Sequence, residues 1–375
     1  MKIIVVLMGD LYKFPPVLNL INAFQMMNIE TVVVSSIPSG DCSISFKHVL
    51  FDIIPIKYEQ IKTPFKKMAS MLKMHKELWK RIDRYYDENS TIWAITDVSL
   101  KFLGKELLNR NYILYLLELS QELRYYKKLP FPKIDSHQIG STAKAVIVPE
   151  YNRAHIIAAW WQLNKIPYIL PNKPFIKDTI SENAYIEDES ARAIIEKIGD
   201  RRIILYQGIL NKERPLEEFV KAVDCYDKKY VFVVMSGDPD LYSSLQSDNY
   251  YYIPYIKAPE HLQVTSHAHI GVLSYVPTQT SGYSPLNSLY CAPNKTYEFS
   301  KFGIPMIGND IPGLRYLFNT EGIGCCFEKY DESSICEAID TLEKNYSEYS
   351  IKAKHFFENT NYEVILKNII DDTRI

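Results

Sequence analysis

Apolar and polar positions in this chain follow two alternating rhythms. Short continuous apolar runs of strand type fall near 2–8, 31–35, 48–55, 92–97, 112–117, 144–148 and 167–170. Longer stretches with helical spacing lie between them, for example 16–27, 64–87 and 150–163. The rhythm restarts in the second half, with strands expected near 202–207, 230–236, 268–274, 304–308 and 323–327. Helices are expected there near 215–226, 293–302, 332–345 and 347–358, with a last one near 361–372. Strand runs that alternate with helical patterns indicate parallel α/β architecture. Two such series imply two doubly wound sheets. The join falls at Leu170-Pro171-Asn172-Lys173-Pro174, because paired prolines favour an extended linker.

Composition narrows the class. A length of 375 residues favours two domains over one. With 47% hydrophobic and 23% charged residues, the chain is expected to be globular. A net charge of −2 gives no electrostatic reason to expect nucleic acid. The six cysteines form no CxxC pair and no ligand spacing with His, so they read as buried thiols in a reducing compartment. The apolar run Ile3–Met8 is too short for a signal-peptide core or a membrane span, and reads as a first buried strand. The expected location is cytoplasmic, or peripheral at the inner face of the cell membrane. Gly9 opens the first turn, yet no GxGxxG follows, so a nicotinamide dehydrogenase is not expected. No P-loop, zinc-protease helix or GxSxG elbow occurs.

The segment Ala292–Gly308 concentrates candidate chemistry. Pro293 suits a first helical residue, and Gly303 suits the left-handed residue after a last turn. Ile304–Ile307 then reads as a strand. Lys295 and Glu298 are three apart and share a helix face near its start. A cation and a carboxylate there suit the phosphate and ribose of a nucleotide, but spacing alone also fits a local ion pair. A second element is Ile203–Gly208, a strand ending in glycine, followed by Asn211-Lys212-Glu213-Arg214-Pro215. Pro215 suits a first helical residue. Arg214 therefore stands on a strand-to-helix loop at the carboxyl edge of a sheet, where open α/β sheets place ligands. Gly208 would admit a phosphate to the backbone, and Arg214 would clamp a diphosphate with its planar fork. A solvated arginine and a turn glycine fit the same letters.

Pro293, Asn294, Lys295, Glu298, Phe299, Gly303, Pro305, Met306 and Ile307 resemble the nucleotide-sugar site of retaining GT-B glycosyltransferases. That large family includes sucrose synthase and mannosyltransferases. The pattern is most similar to the subgroup that builds bacterial surface polysaccharides. Asn309-Asp310-Ile311-Pro312-Gly313 and Glu321-Gly322-Ile323-Gly324 fit it too, as does Tyr206-Gln207-Gly208 followed by Arg214-Pro215-Leu216-Glu217. The resemblance implies a GT-B fold: α/β, with two doubly wound Rossmann-like domains facing each other across a cleft. It implies an acceptor-side domain over 1–172, a nucleotide-sugar domain over 173–360, and a helix over 361–375 crossing back to the first domain.

The resemblance also assigns roles. Gly208, Arg214 and Lys295 would hold the diphosphate, with Lys212 a second candidate cation, and Glu298 and Asn294 would complete the nucleotide-sugar site. Where many relatives carry a basic residue after the glycine, this chain has Ile209. Where the family has a first glutamate, this chain has Tyr290, so Tyr290 and Asn287 are the candidates for its work. Relatives often place His or His-Glu at the end of the fifth strand; here Leu117-Glu118 stands instead, making Glu118 a candidate for binding hydroxyls or removing a proton. Arg153 fits the subgroup's arginine after the sixth strand, structural or facing an acceptor phosphate, and Asp10 falls in the first turn. No metal or cofactor is implied, and Asp238-Pro239-Asp240 reads as a turn after a strand.

The stretch 62–81 is a basic amphipathic helix. Phe65, Met68, Met71, Leu72, Leu78 and Trp79 form its apolar side; Lys66, Lys67, Lys73, Lys76, Lys80 and Arg81 crowd the rest. It fits an anionic membrane surface, and equally a helix packed on its sheet. The expected activity is retaining sugar transfer from a nucleotide-diphosphate sugar, uridine-linked, to a saccharide or lipid-linked saccharide. The alternatives are a catalytically silent nucleotide-sugar-binding or scaffold protein and a nucleotide-sugar epimerase, for which no acid triad is found.

Overall fold

A computed structural model of the chain describes residues 1–37, 46, 49–55, 64–123, 134–174, 180–278 and 283–373, with backbone alone at 37, 55 and 64–68. The chain divides into two compact units, Met1–Asn172 with Tyr362–Ile375, and Lys173–Asn361.

The first unit is built on β1 (Lys2–Leu7), β2 (Glu30–Ile37), β3 (Val49–Pro55), β4 (Ser90–Ile95), β5 (Tyr112–Tyr115), β6 (Ala145–Val148) and β7 (Tyr168–Ile169). All pair in parallel, in the order β3-β2-β1-β4-β5-β6-β7. Helices cover both faces of such a sheet, so its central strands read as unbroken apolar runs. Every residue of β4 and β5 is buried. The last helix, Tyr362–Thr373, belongs to this unit and buries Tyr362, Leu366, Ile369 and Ile370. The Tyr168 hydroxyl donates to Asp372 Oδ2 at 3.3 Å, which ties that helix to β7.

The second unit carries β8 (Arg202–Gln207), β9 (Tyr230–Ser236), β10 (Tyr250–Pro254), β11 (Ile270–Leu273), β12 (Met306–Asn309) and β13 (Gly324–Phe327). Their order is β10-β9-β8-β11-β12-β13, all parallel. Counted from β8, this reads 3-2-1-4-5-6, the doubly wound order also seen in the first unit. The order reverses between β8 and β11, and such a reversal opens a crevice at the strands' carboxyl ends. Side chains alternate between two cores. Leu205, Val231, Val233 and Met235 enter one, and Ile204, Tyr206, Phe232 and Val234 the other.

Four sequence expectations change. β10 was not expected, because Tyr250-Tyr251-Tyr252-Ile253-Pro254 is a partly exposed edge strand without a clean apolar rhythm. Pro293 and Pro215 are not first helical residues. The helices begin at Lys295 and Glu217, with Asn294 and Leu216 as N-caps, so each proline precedes its cap. The basic helix spans Pro64–Tyr85. Its Leu78 and Trp79 are buried in the unit, and Trp79 Nε1 donates to the Leu103 carbonyl at 2.9 Å. Leu72 is exposed, as are Lys73, Lys76 and Lys80. Lys62 lies outside the described residues, and Phe65, Lys66, Lys67 and Met68 are described in backbone only. Of the thiols expected to be buried, Cys225 is exposed and Cys325, Cys326 and Cys336 are half-buried.

Candidate functional site

The reversal in the second sheet brings two loops together. β8 ends at Gln207 and is followed by Gly208, whose φ is +134°. β11 ends at Leu273 and leads to Tyr275, which is 6% exposed. Asn309, at the end of β12, clamps Tyr275. Its Oδ1 accepts from the Tyr275 N–H at 2.8 Å, and its Nδ2 donates to the Tyr275 carbonyl at 2.7 Å.

Two cations rest on two aromatic faces here. The Arg214 guanidinium carbon lies 4.0 Å from the centre of the Tyr275 ring. The Lys295 Nζ lies 4.2 Å from the centre of the Tyr206 ring and 6.0 Å from that of Tyr275. The Tyr206 hydroxyl donates to the Ile209 carbonyl at 2.6 Å, which fixes its ring. Gly208 leaves the space that Lys295 fills: a Cβ there would stand 2.8 Å from Nζ and 2.9 Å from Cε. Arg214 is anchored through Nη1, which donates to the Glu213 carbonyl at 3.0 Å.

Electrostatics follow from this crowding. Burial pushes the Lys295 amine down to about 7; the nearby Arg214 charge adds to the shift, and Glu298 opposes it. Glu298 is 2% exposed. Burial raises its pKa, but hydrogen bonding and charge from His261, with Gln207 and Lys295, bring it below the usual carboxylate range. It is therefore ionised at neutral pH. Gln207 Nε2 donates to its Oε2 at 2.5 Å, and Asn294 Nδ2 to its Oε1 at 3.0 Å. The site thus offers two cationic side chains, a glycine loop, the fixed Glu298 carboxylate and the Glu213 carboxylate, which lies 3.6 Å from Arg214 Nη1, a set suited to a diphosphate and an adjoining diol.

The sequence candidates divide accordingly. Gly208, Arg214, Lys295, Glu298 and Asn294 come together. Lys212 is exposed on the loop before Arg214. Asn287 and Tyr290 belong to a different turn: Asn287 sits in the one-turn helix Leu286–Leu289, and Tyr290 is its C-cap. Ser281 and Gly282 of the same loop lie outside the described residues. Glu118 belongs to the first unit, three residues past β5, with a 41% exposed side chain 3.6 Å from Arg153 Nη1. Arg153 is buried and donates to the Leu117 carbonyl at 2.6 Å, so it braces the segment after β5. Asp10 caps its turn by accepting from the Tyr12 N–H at 3.1 Å. Asp238 and Asp240 are structural as well. Asp238 Oδ2 accepts from the Leu210 N–H at 2.7 Å, and Asp240 Oδ1 from the Tyr242 N–H at 2.9 Å. Among the described residues, no three His, Cys, Asp or Glu side chains are grouped to hold a metal ion.

Sequence reading missed Tyr275 and His261, and it quoted Tyr206 and Gln207 without a role. His261 Nε2 lies 3.5 Å from Glu298 Oε1, although the two are 37 positions apart. No local pattern marks such a pair; parallel strand order creates it.

No family model matches the chain, and no curated protein matches it in sequence. Solved structures do match along its whole length. Sucrose-phosphate synthase from Thermosynechococcus elongatus is 15% identical, with a TM-score of 0.67, over 99% of this chain and 98% of its own. An Escherichia coli trehalose-6-phosphate structure bound with UDP-2-fluoro glucose is 11% identical, with a TM-score of 0.67, over 100% and 99%. HepE from Anabaena, in complex with UDP, is 11% identical, with a TM-score of 0.62, over 99% of both chains. The chain has the GT-B fold, made of two Rossmann-like units.

Proposed function

We propose that this protein is a retaining, metal-independent glycosyltransferase. It would move a sugar from a UDP-sugar to a saccharide or lipid-linked saccharide in bacterial surface polysaccharide synthesis. The observation that carries this reading is the convergence of Arg214 and Lys295 beside Gly208, with Glu298 ionised and fixed one helical turn further on. Two fold neighbours support it, since they were solved with UDP and with UDP-2-fluoro glucose.

In this mechanism Arg214 and Lys295 neutralise charge that grows on the departing diphosphate. Stabilising developing charge with groups already in place is the largest single contribution in most such sites. Glu298 holds the ribose through charge-assisted hydrogen bonds. The leaving phosphate helps to deprotonate the acceptor hydroxyl, so no protein nucleophile is assigned. Glu118, Asn287 and Tyr290 are assigned to sugar and acceptor hydroxyls, and substituting them should lower kcat more than donor affinity.

The test is release of UDP from a panel of UDP-sugars, with and without lipid-linked acceptors, alongside UDP binding by calorimetry. Binding without turnover under every condition would favour a silent nucleotide-sugar module. Absence of binding would overturn both readings.

A further inference from the structure

One carboxylate, Glu298, is held by hydrogen bonds from Gln207 and Asn294 and by a longer polar contact with His261. Its Oε2 accepts from Gln207 Nε2 at 2.5 Å. The other end of that amide, Gln207 Oε1, accepts from the Thr265 hydroxyl at 2.7 Å. This contact fixes which way the Gln207 amide points. Thr265 Oγ1 is also 3.2 Å from the His261 carbonyl, and both residues stand on the helix His261–Thr265. His261 Nε2 meets Glu298 Oε1 at 3.5 Å, beside the 3.0 Å bond from Asn294. The other ring nitrogen, Nδ1, is buried and has no hydrogen-bond partner. The ring therefore keeps its N–H on Nε2, facing the carboxylate, because only that nitrogen has an acceptor.

We propose that His261 is a positioning residue. Its Nε2–H, together with Gln207 and Asn294, holds the Glu298 carboxylate in the one orientation that receives the cis-diol of a nucleotide ribose. This rests on the nucleotide reading above. A carboxylate with three donors from three different elements has one low-energy placement. Removing the ring donor leaves Oε1 with Asn294 alone and lets the group turn.

The test compares two ligands on the full-length protein by calorimetry: UDP, which carries the ribose, and inorganic pyrophosphate, which does not. His261→Leu removes the donor, and His261→Gln supplies an amide N–H at comparable reach. His261→Leu should weaken UDP roughly 10-fold and leave pyrophosphate within about twofold. His261→Gln should restore UDP to within about threefold of the parent. With UDP-sugar as donor, KM should follow the UDP affinity, with kcat changed less than about twofold.

Equal weakening of both ligands by His261→Leu would mark a general structural lesion and overturn the proposal. Unchanged UDP affinity would overturn it too. Should His261→Leu fail to fold, His261→Phe gives an apolar ring of similar bulk, and failure of both to fold would again overturn the positioning role. A parent protein that binds pyrophosphate but not UDP would overturn the nucleotide reading itself, and this role with it.

Discussion

Lys295 is the residue whose chemistry most departs from the ordinary. Its amine has moved from 10.5 down to about 7, first through burial and then through the Arg214 charge. Arg214 and Lys295 lie on aromatic faces with the Glu213 and Glu298 carboxylates beside them, and a bound diphosphate adds the negative charge that favours the protonated form of Lys295. Above neutral pH the free protein holds Lys295 largely uncharged, and a bound diphosphate draws a proton onto it. UDP affinity should therefore fall between pH 7 and pH 9, by at most about tenfold per pH unit. Calorimetry in buffers of different ionisation enthalpy should show proton uptake near pH 8, and none would contradict the assignment. The sign for stability is the reverse of a paired lysine. Between about 7 and 10.5 the folded protein binds fewer protons at this position than the unfolded chain, so stability rises with pH across that window. Below it the full cost of a buried charge remains. Lys295→Met should then raise the melting midpoint at pH 6 by ~2–4 °C for a gain of about 1 kcal/mol, while abolishing UDP binding. Arg214→Ala should instead lower the midpoint, since it leaves the nearly buried Glu213 without its ion partner, and weaken UDP by about 2 kcal/mol, roughly 30-fold.

Two turns, each with a glycine at positive φ, separate what an element needs for folding from what it needs for binding. Gly303 follows the seven-residue helix Lys295–Lys301 with φ +64°, and its added Cβ would meet Lys354 Cε and Ser350 Oγ, side-chain ends that have room to shift. Gly208 has φ +134°, and its added Cβ would displace Lys295 itself. Both Gly→Ala changes carry backbone strain of about 1–2 kcal/mol. Gly303→Ala should lower the melting midpoint and keep UDP affinity within about twofold. Gly208→Ala should lower the midpoint by a similar amount and remove UDP binding, because the lysine can no longer reach the loop. Equal retention of binding by both would separate Gly208 from the phosphate site. The same elements show what periodicity leaves unread. The letters around Gly303 and Pro305 foretold a helix stop and a strand, yet Pro293 and Pro215 fell outside their helices, each preceding the cap at Asn294 or Leu216. β10 stayed hidden because an edge strand need not bury a face.

Across the whole chain, legibility in sequence follows the distance between partners. Strand runs and the join near Pro171 and Pro174 are local features, and they were readable. Arg214 and Lys295 were readable only as two motifs in order, since their meeting depends on β8 lying next to β11, and the pairing of Glu298 with Gln207 was not readable. His261 beside Glu298 and Asn309 around Tyr275 were not readable, because no spacing rule links residues on separate elements. The basic helix Pro64–Tyr85 is a further case, in which one stretch of sequence had two readings. Its carboxyl half is now committed to the first unit. Arg81 donates to Asp52 and to the Ile53 carbonyl at 3.0 Å, which pins the helix to β3, and its bond to Glu77 at 2.9 Å within the helix orients the guanidinium. Leu78, Trp79 and Ile82 are buried against the same unit. Leu72, Lys73, Lys76 and Lys80 remain exposed, and we propose these residues for a membrane contact. Each lysine near an anionic surface contributes about 1 kcal/mol, an attraction that salt screens within ~10 Å at 0.1 M. The full-length protein should co-sediment with vesicles containing phosphatidylserine at low salt and release as salt rises. Lys73→Glu, Lys76→Glu and Lys80→Glu together should abolish this without shifting the melting midpoint, because all three are exposed and none pairs with an acidic group among the described residues. Arg81 must be left intact in that variant, since its loss would unpin the helix and imitate the expected result. Unchanged sedimentation of the triple variant, or none by the parent, would leave the helix with its packing role alone.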